Sequence, residues 1–272
     1  MARALPTSAI LGALALLVTS LPARAGDRDA ARTYLAEGDR EAQAGHAAEA
    51  VARYEKALAA DDSNVDVYAR LGGALVQAGN VERAVKIFRR YVEIAPRDCH
   101  AHSGLGLAYL RQGLADQAVK SYEEAIALCP EDASAFDSLG AAYEAMHDPL
   151  EAIEALRHAI ALKADDVAAY GHLAQLTYDR KLYPEAVAAY EALLSLPDRG
   201  LDEAGLAQAH ERLALMYDWA HSCAMAVPHW QAVAASPAVD AATKERASKR
   251  VADCREARSS TGVSEPGGTS GH

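Results

Sequence analysis

The stretch that decides the fold is VDVYARLGGALVQAGNVERAVKIFRRYVEIAPRD, residues 65–98, followed directly by CHAHSGLGLAYLRQGLADQAVKSYEEAIALCPED, residues 99–132. Between Tyr68 and Leu75 the apolar or small side chains recur at the i, i+3, i+4, i+7 spacing of one helix face. Gly79 follows, and glycine readily adopts the backbone angles of a tight turn. The segment therefore predicts an amphipathic helix that ends in a turn.

A second apolar stripe begins directly after this turn. Ala84, Ile87, Phe88 and Tyr91 again lie on one helix face, and Pro96 ends the helix because proline cannot continue it. Two helices joined by so short a turn pack antiparallel. No run of alternating β-branched residues predicts a strand in the chain. The predicted building unit is therefore a helical hairpin.

The landmarks of this unit recur every 34 residues. The recurring glycine and alanine are small, which we attribute to a close approach of the two helices. The recurring bulky residue is expected to fill the gap to the neighbouring unit. Five copies in one phase predict a stacked array in which each unit buries its apolar stripe against its neighbours. The landmarks are Ala50, Ala84, Ala118, Ala152 and Ala186; Tyr54, Phe88, Tyr122, Leu156 and Tyr190; and Gly38, Gly72, Gly106 and Gly140, with Ala174 at the fifth glycine position.

This pattern resembles the tetratricopeptide repeat, whose 34-residue unit is a pair of antiparallel helices. The resemblance implies an all-α fold, a tetratricopeptide-repeat α-solenoid of about six helix pairs with a C-terminal capping helix. Charged residues after Ala241 give the last predicted helix the polar outer face that a cap needs. The predicted units are 31–64, 65–98, 99–132, 133–166, 167–200 and a degenerate 207–240, followed by the cap at 241–257 and a Ser-, Thr- and Gly-rich tail, predicted to be disordered, at 258–272.

The N-terminus has the three parts of a secretory signal peptide. Arg3 supplies a positive charge, an apolar segment runs from Ala9 to Val18, and an A-x-A-like cleavage site ends at Ala25. An uncleaved membrane anchor is the alternative, but the apolar segment is shorter than a bilayer-spanning helix requires. The sequence predicts a signal peptide at residues 1–25 and export to the periplasm or the exterior, with no later segment that could span a membrane.

The charge of the chain opposes two classes of partner. The formal net charge is −11, and cleavage after Ala25 would remove two arginines and make it more negative. Nucleic acids and anionic membrane surfaces both bind clustered Lys and Arg side chains. We therefore expect no nucleic-acid partner.

No constellation of residues predicts catalysis or a metal site. His210 and Glu211 begin like the zinc-protease motif H-E-x-x-H, but Ala214 stands where the second histidine is required. His210 and His102 both occupy the packing position that tyrosine or phenylalanine fills in other units. We therefore predict no enzyme activity, no cofactor and no metal. An enzyme or metal carrier with a non-obvious site is the alternative.

Four cysteines allow three disulfide pairings, and export permits disulfides. Cys99 starts the first helix of the third unit and Cys129 ends its second helix, so antiparallel packing brings the two together. Cys223 starts the second helix of the sixth unit and Cys254 ends the cap that runs back along it. The predicted bridges are Cys99–Cys129 and Cys223–Cys254, and four small buried thiols are the alternative.

The predicted function is a protein–protein interaction scaffold or adaptor of the cell envelope. In the family that the pattern resembles, the first helix of each unit lines a concave groove. Here the groove positions mix apolar with acidic residues, which suits an amphipathic helix or a partly basic protein segment. A self-assembling structural array is the alternative, and the oligomeric state is not predicted.

Nine residues are candidates for contact with the partner, because they lie beside the buried stripe of the first helices. Apolar residues grouped in one groove usually mark a contact surface. Packing of Leu107 and Leu110 on the next unit, and of Trp219 under the cap, is the alternative for these three. The candidates are Leu107, Leu110, Arg111, Asp137, Glu144, Tyr178, Leu215, Asp218 and Trp219.

Overall fold

The computed structural model describes residues 25–196 and 200–260, which form thirteen α-helices and no strand. The predicted all-α class is confirmed. Helices pack as consecutive antiparallel pairs from α1 with α2 to α11 with α12, and α13 packs on α12. The helices are α1 Ala25–Gln43, α2 Ala47–Ala60, α3 Val65–Gln77, α4 Val81–Ile94, α5 Cys99–Arg111, α6 Ala115–Leu128, α7 Ala133–Ala145, α8 Pro149–Leu162, α9 Val167–Asp179, α10 Tyr183–Ser195, α11 Glu203–Trp219, α12 Cys223–Ala235 and α13 Ala241–Ser260.

The first helices of four successive units each begin at a capping asparagine or aspartate. A side-chain oxygen of Asn64, Asp98, Asp132 and Asp166 accepts a hydrogen bond from the backbone N–H two residues later, at 3.0–3.1 Å. A cap of this kind stabilises a helix by about 1 kcal/mol. Because the four caps are 34 residues apart, the repeat sets where the helices start as well as which faces they bury.

The turn within each unit contains one residue in the left-handed backbone region. The glycines at this position in the first three units have φ values between 75° and 80°. The last three units keep the turn without glycine, and His147, Lys181 and His221 have φ values between 55° and 61°. A left-handed conformation costs a residue with a Cβ about 1 kcal/mol. Packing of the helix pair therefore imposes the turn even where the residue disfavours it.

The recurring glycine makes room for a ring of the second helix. A Cβ built on Gly72 would lie 2.4 Å from Cζ of Phe88, and one on Gly106 would lie 2.9 Å from Cε1 of Tyr122. The nearest atoms thus belong to the bulky landmark residue, and at Gly140 the backbone oxygen of Ala152 on the second helix would also lie 3.3 Å from an added Cβ. A Cβ on Gly104 of the next unit would also lie 2.2 Å from the ring of Phe88. The ring therefore fills the gap between units, as predicted.

The core continues along the array and ends under α13. One apolar cluster extends through the first four units, a second through the fourth to the sixth, and a third joins the sixth unit to α13. In the third cluster Trp230, only 1% exposed, packs with Ala247 and Val251 of α13. The last helix thus covers the end of the array, as a cap should.

The ends of the chain differ in part from the predicted limits. α13 extends to Ser260, three residues into the predicted tail, and the rest of that tail lies outside the described residues. The predicted signal peptide also lies outside them except for Ala25, where α1 begins. None of the described helices is long and apolar enough to cross a bilayer.

Candidate partner-binding surface

The first helices of the units lie side by side on one face of the array. α3 contacts α5, α5 contacts α7 and α7 contacts α9, whereas the second helices of successive units make no comparable contact within the described residues. Because the first helices approach one another more closely, the array curves towards them. The exposed faces of α5, α7, α9 and α11 are called the inner surface below.

Three of the predicted apolar candidates contribute less exposed surface than expected. Leu107, Leu110 and Tyr178 are half-buried. Leu110 packs against the core of the first four units, and Tyr178 packs against the core of the fourth to sixth. Leu107 lines a shallow cavity with Tyr122 of its own unit. Packing within the array therefore accounts for part of the surface of these side chains.

The most exposed apolar part of the inner surface lies where the fifth unit meets the sixth. Trp219 is 70% exposed and Leu215 is 41% exposed, so Trp219 is not buried under α13. The ring of Trp219 lies 5.1 Å from that of Tyr183, which lies 6.1 Å from that of Tyr178, measured between centroids. The guanidinium carbon of Arg212 lies 4.1 Å from the Tyr178 centroid. Tyr178, Tyr183, Leu215 and Trp219 are called the aromatic cluster below.

Tyr183 was not among the predicted site residues, because it starts the second helix of its unit rather than lying on a first helix. Its neighbour Tyr178 lies near the end of α9, so the turn between the two helices brings both rings to one place. The signal that could have identified Tyr183 is an aromatic residue directly after the turn.

Asp218, predicted to face a partner, is instead held within the array. One of its oxygens accepts hydrogen bonds from Nε1 of Trp230 at 2.8 Å and from Nε of Arg250 at 2.9 Å. The carboxylate thereby joins α11, α12 and α13. Since Arg250 compensates its charge and the side chain is only 10% exposed, Asp218 contributes little to the charge that a partner would meet.

Asp137 also has a partner within the array. Its carboxylate lies 2.7 Å from Nδ1 of His172, which joins the first helices of the fourth and fifth units. This hydrogen bond and the carboxylate charge raise the pKa of His172, against the opposing effect of burial. The ion pair is therefore fully formed below the usual histidine pKa and is lost as pH rises through the raised value. Of the predicted charged candidates, Arg111 and Glu144 are exposed.

A second exposed apolar feature follows the turns within the third to sixth units, and the repeat pattern does not predict it. These turns all lie on the same edge of the stacked array, so their side chains form a row, called the turn edge below. These residues lie between the two apolar stripes of each unit, where helical periodicity does not predict whether a side chain is buried or exposed. The turn edge consists of Leu114, Met146, Leu150, Leu182 and Met225.

His102 has the structural role that the sequence predicts. Its Nε2 lies 3.0 Å from the carbonyl oxygen of Pro96. In the preceding unit the hydroxyl of Tyr68 donates to the carbonyl of Asp62 at 2.9 Å in the equivalent place. The histidine thus replaces a packing tyrosine and repeats its hydrogen bond.

The cysteines lie at disulfide distance in the predicted pairs. The Sγ atoms of Cys99 and Cys129 are 2.08 Å apart, and those of Cys223 and Cys254 are 2.13 Å apart. Asp98, Cys99 and His100 bring three potential metal-ligand atoms within 4.8 Å of one another. A sulfur in a disulfide is not a thiolate, however, and the thiolate is the metal-binding form. This group therefore lacks one of its three ligands when the bridge is formed.

Comparison with known proteins agrees with this architecture. Family models described as tetratricopeptide repeat match residues 41–106, 97–165 and 138–200. No curated protein matches the chain. Among solved structures, pilF of Pseudomonas aeruginosa is 19% identical, covers 82% of this chain and 99% of its own, and has a TM-score of 0.64.

Two further solved structures are similar to the chain. MamA is 27% identical, covers 60% of this chain and 95% of its own, and has a TM-score of 0.51. YrrB, described as a TPR protein with an unusual peptide-binding site, is 19% identical to this chain. The match covers 72% of this chain and 97% of YrrB, with a TM-score of 0.53. The predicted solenoid of helical repeats is confirmed, and for pilF and YrrB the likeness extends to the fold alone.

Proposed function

The chain belongs to the tetratricopeptide-repeat family, whose members are generally protein-interaction scaffolds rather than enzymes, and from this premise we propose that it is an adaptor of the cell envelope. It holds an amphipathic helical segment of another protein on its inner surface. The observation that carries the proposal is the aromatic cluster, in which Leu215 and Trp219 are exposed beside a surplus of carboxylates.

The aromatic cluster has the properties of a binding anchor. Grouped exposed apolar side chains mark contact surfaces, and tryptophan and tyrosine are enriched among residues that dominate binding energy. The Tyr178 ring is held from two sides, by the core of its unit and by the guanidinium of Arg212. Because this part of the cluster is ordered before a partner arrives, less entropy is lost on binding.

The charge of the inner surface selects the polar side of the partner. The helices α5, α7, α9 and α11 together contain six carboxylates and two arginines, Arg111 and Arg212. Three of the carboxylates pair with basic side chains of the array. The other three, Glu144, Asp179 and Glu203, are exposed. A segment with apolar residues on one face and Lys or Arg beside them complements this surface.

Photo-crosslinking in the native cell tests where the partner binds. A photoreactive residue at Leu215 should capture the partner, whereas the same residue at Glu123, exposed on the second helix of the third unit, should not. Capture from Glu123 without capture from Leu215 would place the function on the outer helices.

Binding of the captured protein, once purified, tests which side chains contribute. Trp219→Ala combined with Leu215→Ser should weaken binding at least about 30-fold, equivalent to about 2 kcal/mol. Leu150→Ser is the matched control, because Leu150 is 72% exposed on the turn edge and lies off the inner surface. Calorimetric titration should show a change of less than about twofold for this variant. The reverse order of effects would assign binding to the turn edge.

Location in the envelope is supported by the N-terminal signal pattern and by two cysteine pairs at disulfide distance. We expect protein recovered from the native cell to begin at Gly26. Intact-mass spectrometry measures this directly. A mass that includes residues 1–25 would instead indicate a retained anchor.

A further inference from the structure

The sixth unit contains a pair of histidines that joins its two helices away from the aromatic cluster. His210 on α11 and His229 on α12 have their Nδ1 atoms 2.9 Å apart, with ring centroids separated by 5.2 Å. The predicted packing role of His210 agrees with its half-buried position. The sequence pattern does not indicate His229 as its partner, because His229 follows 19 residues later on the other helix of the pair.

The repeat does not require this histidine pair. The position of His210 is filled by tyrosine in three units and by phenylalanine in another, and these side chains fulfil the packing role. The position of His229 is filled by residues of different chemical types in the other units. Its equivalents are Arg53, Ile87, Ser121, Ala155 and Ala189.

Neighbouring groups orient and tune the second imidazole. The ring of Tyr217 stacks on that of His229, with centroids 5.8 Å apart and planes within 10° of parallel. The Tyr217 hydroxyl donates to Glu191 of the preceding unit, which fixes the ring that His229 packs against. Burial lowers the pKa of His229, against a weaker opposing effect of Glu191. Burial thus favours the neutral imidazole, and this is the form in which a ring nitrogen can bind a metal.

We propose that His210 and His229 bind a divalent transition-metal ion, Cu²⁺ or Ni²⁺, through their two Nδ1 atoms. Imidazole nitrogens bind such ions at about 2.0–2.1 Å. Two nitrogens 2.9 Å apart then subtend an angle of about 90° at the ion, which is the cis angle of square-planar and tetragonal sites. A tetrahedral zinc site would need the nitrogens about 3.3 Å apart.

Binding needs a change of tautomer but no change of charge. In the hydrogen-bonded pair one ring donates from Nδ1 and the other accepts. The donor ring moves its proton to Nε2, and rotation of the two rings then turns their Nδ1 lone pairs away from each other and towards the ion. His210 lines a cavity of about 360 Å³ together with Glu203 and Leu206. Water therefore reaches the pair from the side of His210, although His229 does not line this cavity.

Copper titration of the full chain, purified without a histidine tag, tests the site. We expect one Cu²⁺ per chain by calorimetry and an electron paramagnetic resonance spectrum with hyperfine splitting from two nitrogens. His210→Tyr and His229→Ala each restore a residue that other units have at that position, so folding should be retained. Each should weaken binding at least about 10-fold and remove one nitrogen from the spectrum.

His102→Tyr is the matched control, because it makes the same change at the same position of the third unit. It should leave the affinity and the spectrum unchanged. Circular dichroism checks that all variants keep their helices. The proposal is overturned if His210→Tyr and His229→Ala bind copper as tightly as the parent protein, or if His102→Tyr causes the loss instead.

Discussion

Replacing Gly72 by alanine should destabilise the array by about 2–3 kcal/mol, whereas the same replacement at Gly73 should stabilise it by up to about 1 kcal/mol. Both residues lie within α3, so the gain in helix propensity is the same. Their surroundings differ. A Cβ on Gly72 would lie 2.4 Å from Phe88, while a Cβ on Gly73 would meet nothing within 4 Å.

The cost at Gly72 arises because the ring of Phe88 cannot move aside. On its other side the ring faces Gly104 of the next unit, where a Cβ would lie 2.2 Å away. The Phe88 ring is thus enclosed by two glycines, one from its own unit and one from the next. The fifth unit has Ala174 at the glycine position and Tyr190 at the ring position, so the repeat accepts alanine where the second helix is positioned to fit it.

Urea unfolding followed by circular dichroism measures both variants against the parent protein. Because a repeat array can lose single units before the rest, hydrogen exchange of α3 and α4 should show whether the loss is local. Gly106→Leu should cost a few kcal/mol for the same reason, since its Cβ would lie 2.9 Å from Tyr122. Equal effects at Gly72 and Gly73, or an unchanged melting curve for Gly106→Leu, would show that the repeat phase is misassigned.

Loss of either disulfide should cost about 3–4 kcal/mol, because each closes a loop of similar length, with sequence separations of 30 and 31. The part of the array that opens should differ between the two bridges. Cys99–Cys129 lies in the third unit, which has neighbours on both sides. Cys223–Cys254 fastens α13, which packs mainly on α12 and buries few apolar side chains. Without this bridge α13 should open while the preceding units stay folded.

Paired serine variants separate the two outcomes. Cys223→Ser with Cys254→Ser should raise hydrogen exchange along α13, and Cys99→Ser with Cys129→Ser should not. Peptide mapping under non-reducing conditions first establishes the bridges. Free thiols, or cysteines joined across the two pairs, would contradict the predicted pairing. Unchanged exchange along α13 in the first variant would show that packing alone holds the cap.

The architecture could be predicted because it depends on short-range regularities. A 34-residue period places Gly72 and Phe88 on facing helices, and in the first three units a turn glycine separates the two helices at the same point. Antiparallel packing then brings Cys99 and Cys129 together without further information. Each inference needs only which face a residue occupies, and a helical period of 3.6 supplies this from the sequence.

The candidate site could be predicted only in outline. The period identifies positions that flank the buried stripe, but whether they are exposed depends on the neighbouring unit. Leu110 and Tyr178 are therefore half-buried, while Trp219 is 70% exposed. Tyr183 was missed because it joins the aromatic cluster through the turn that precedes it, and turns lie outside the helical period.

The sequence by itself determined the helices, their pairing and the order in which the units stack, because each copy of the 34-residue pattern specifies the same contacts. Only the tertiary structure decided that Asp218 binds Trp230 and Arg250 and that His210 meets His229. All these contacts lie in the degenerate sixth unit and the cap. There the repeat no longer specifies its neighbours, so the partner of each side chain depends on how two non-equivalent helices happen to pack.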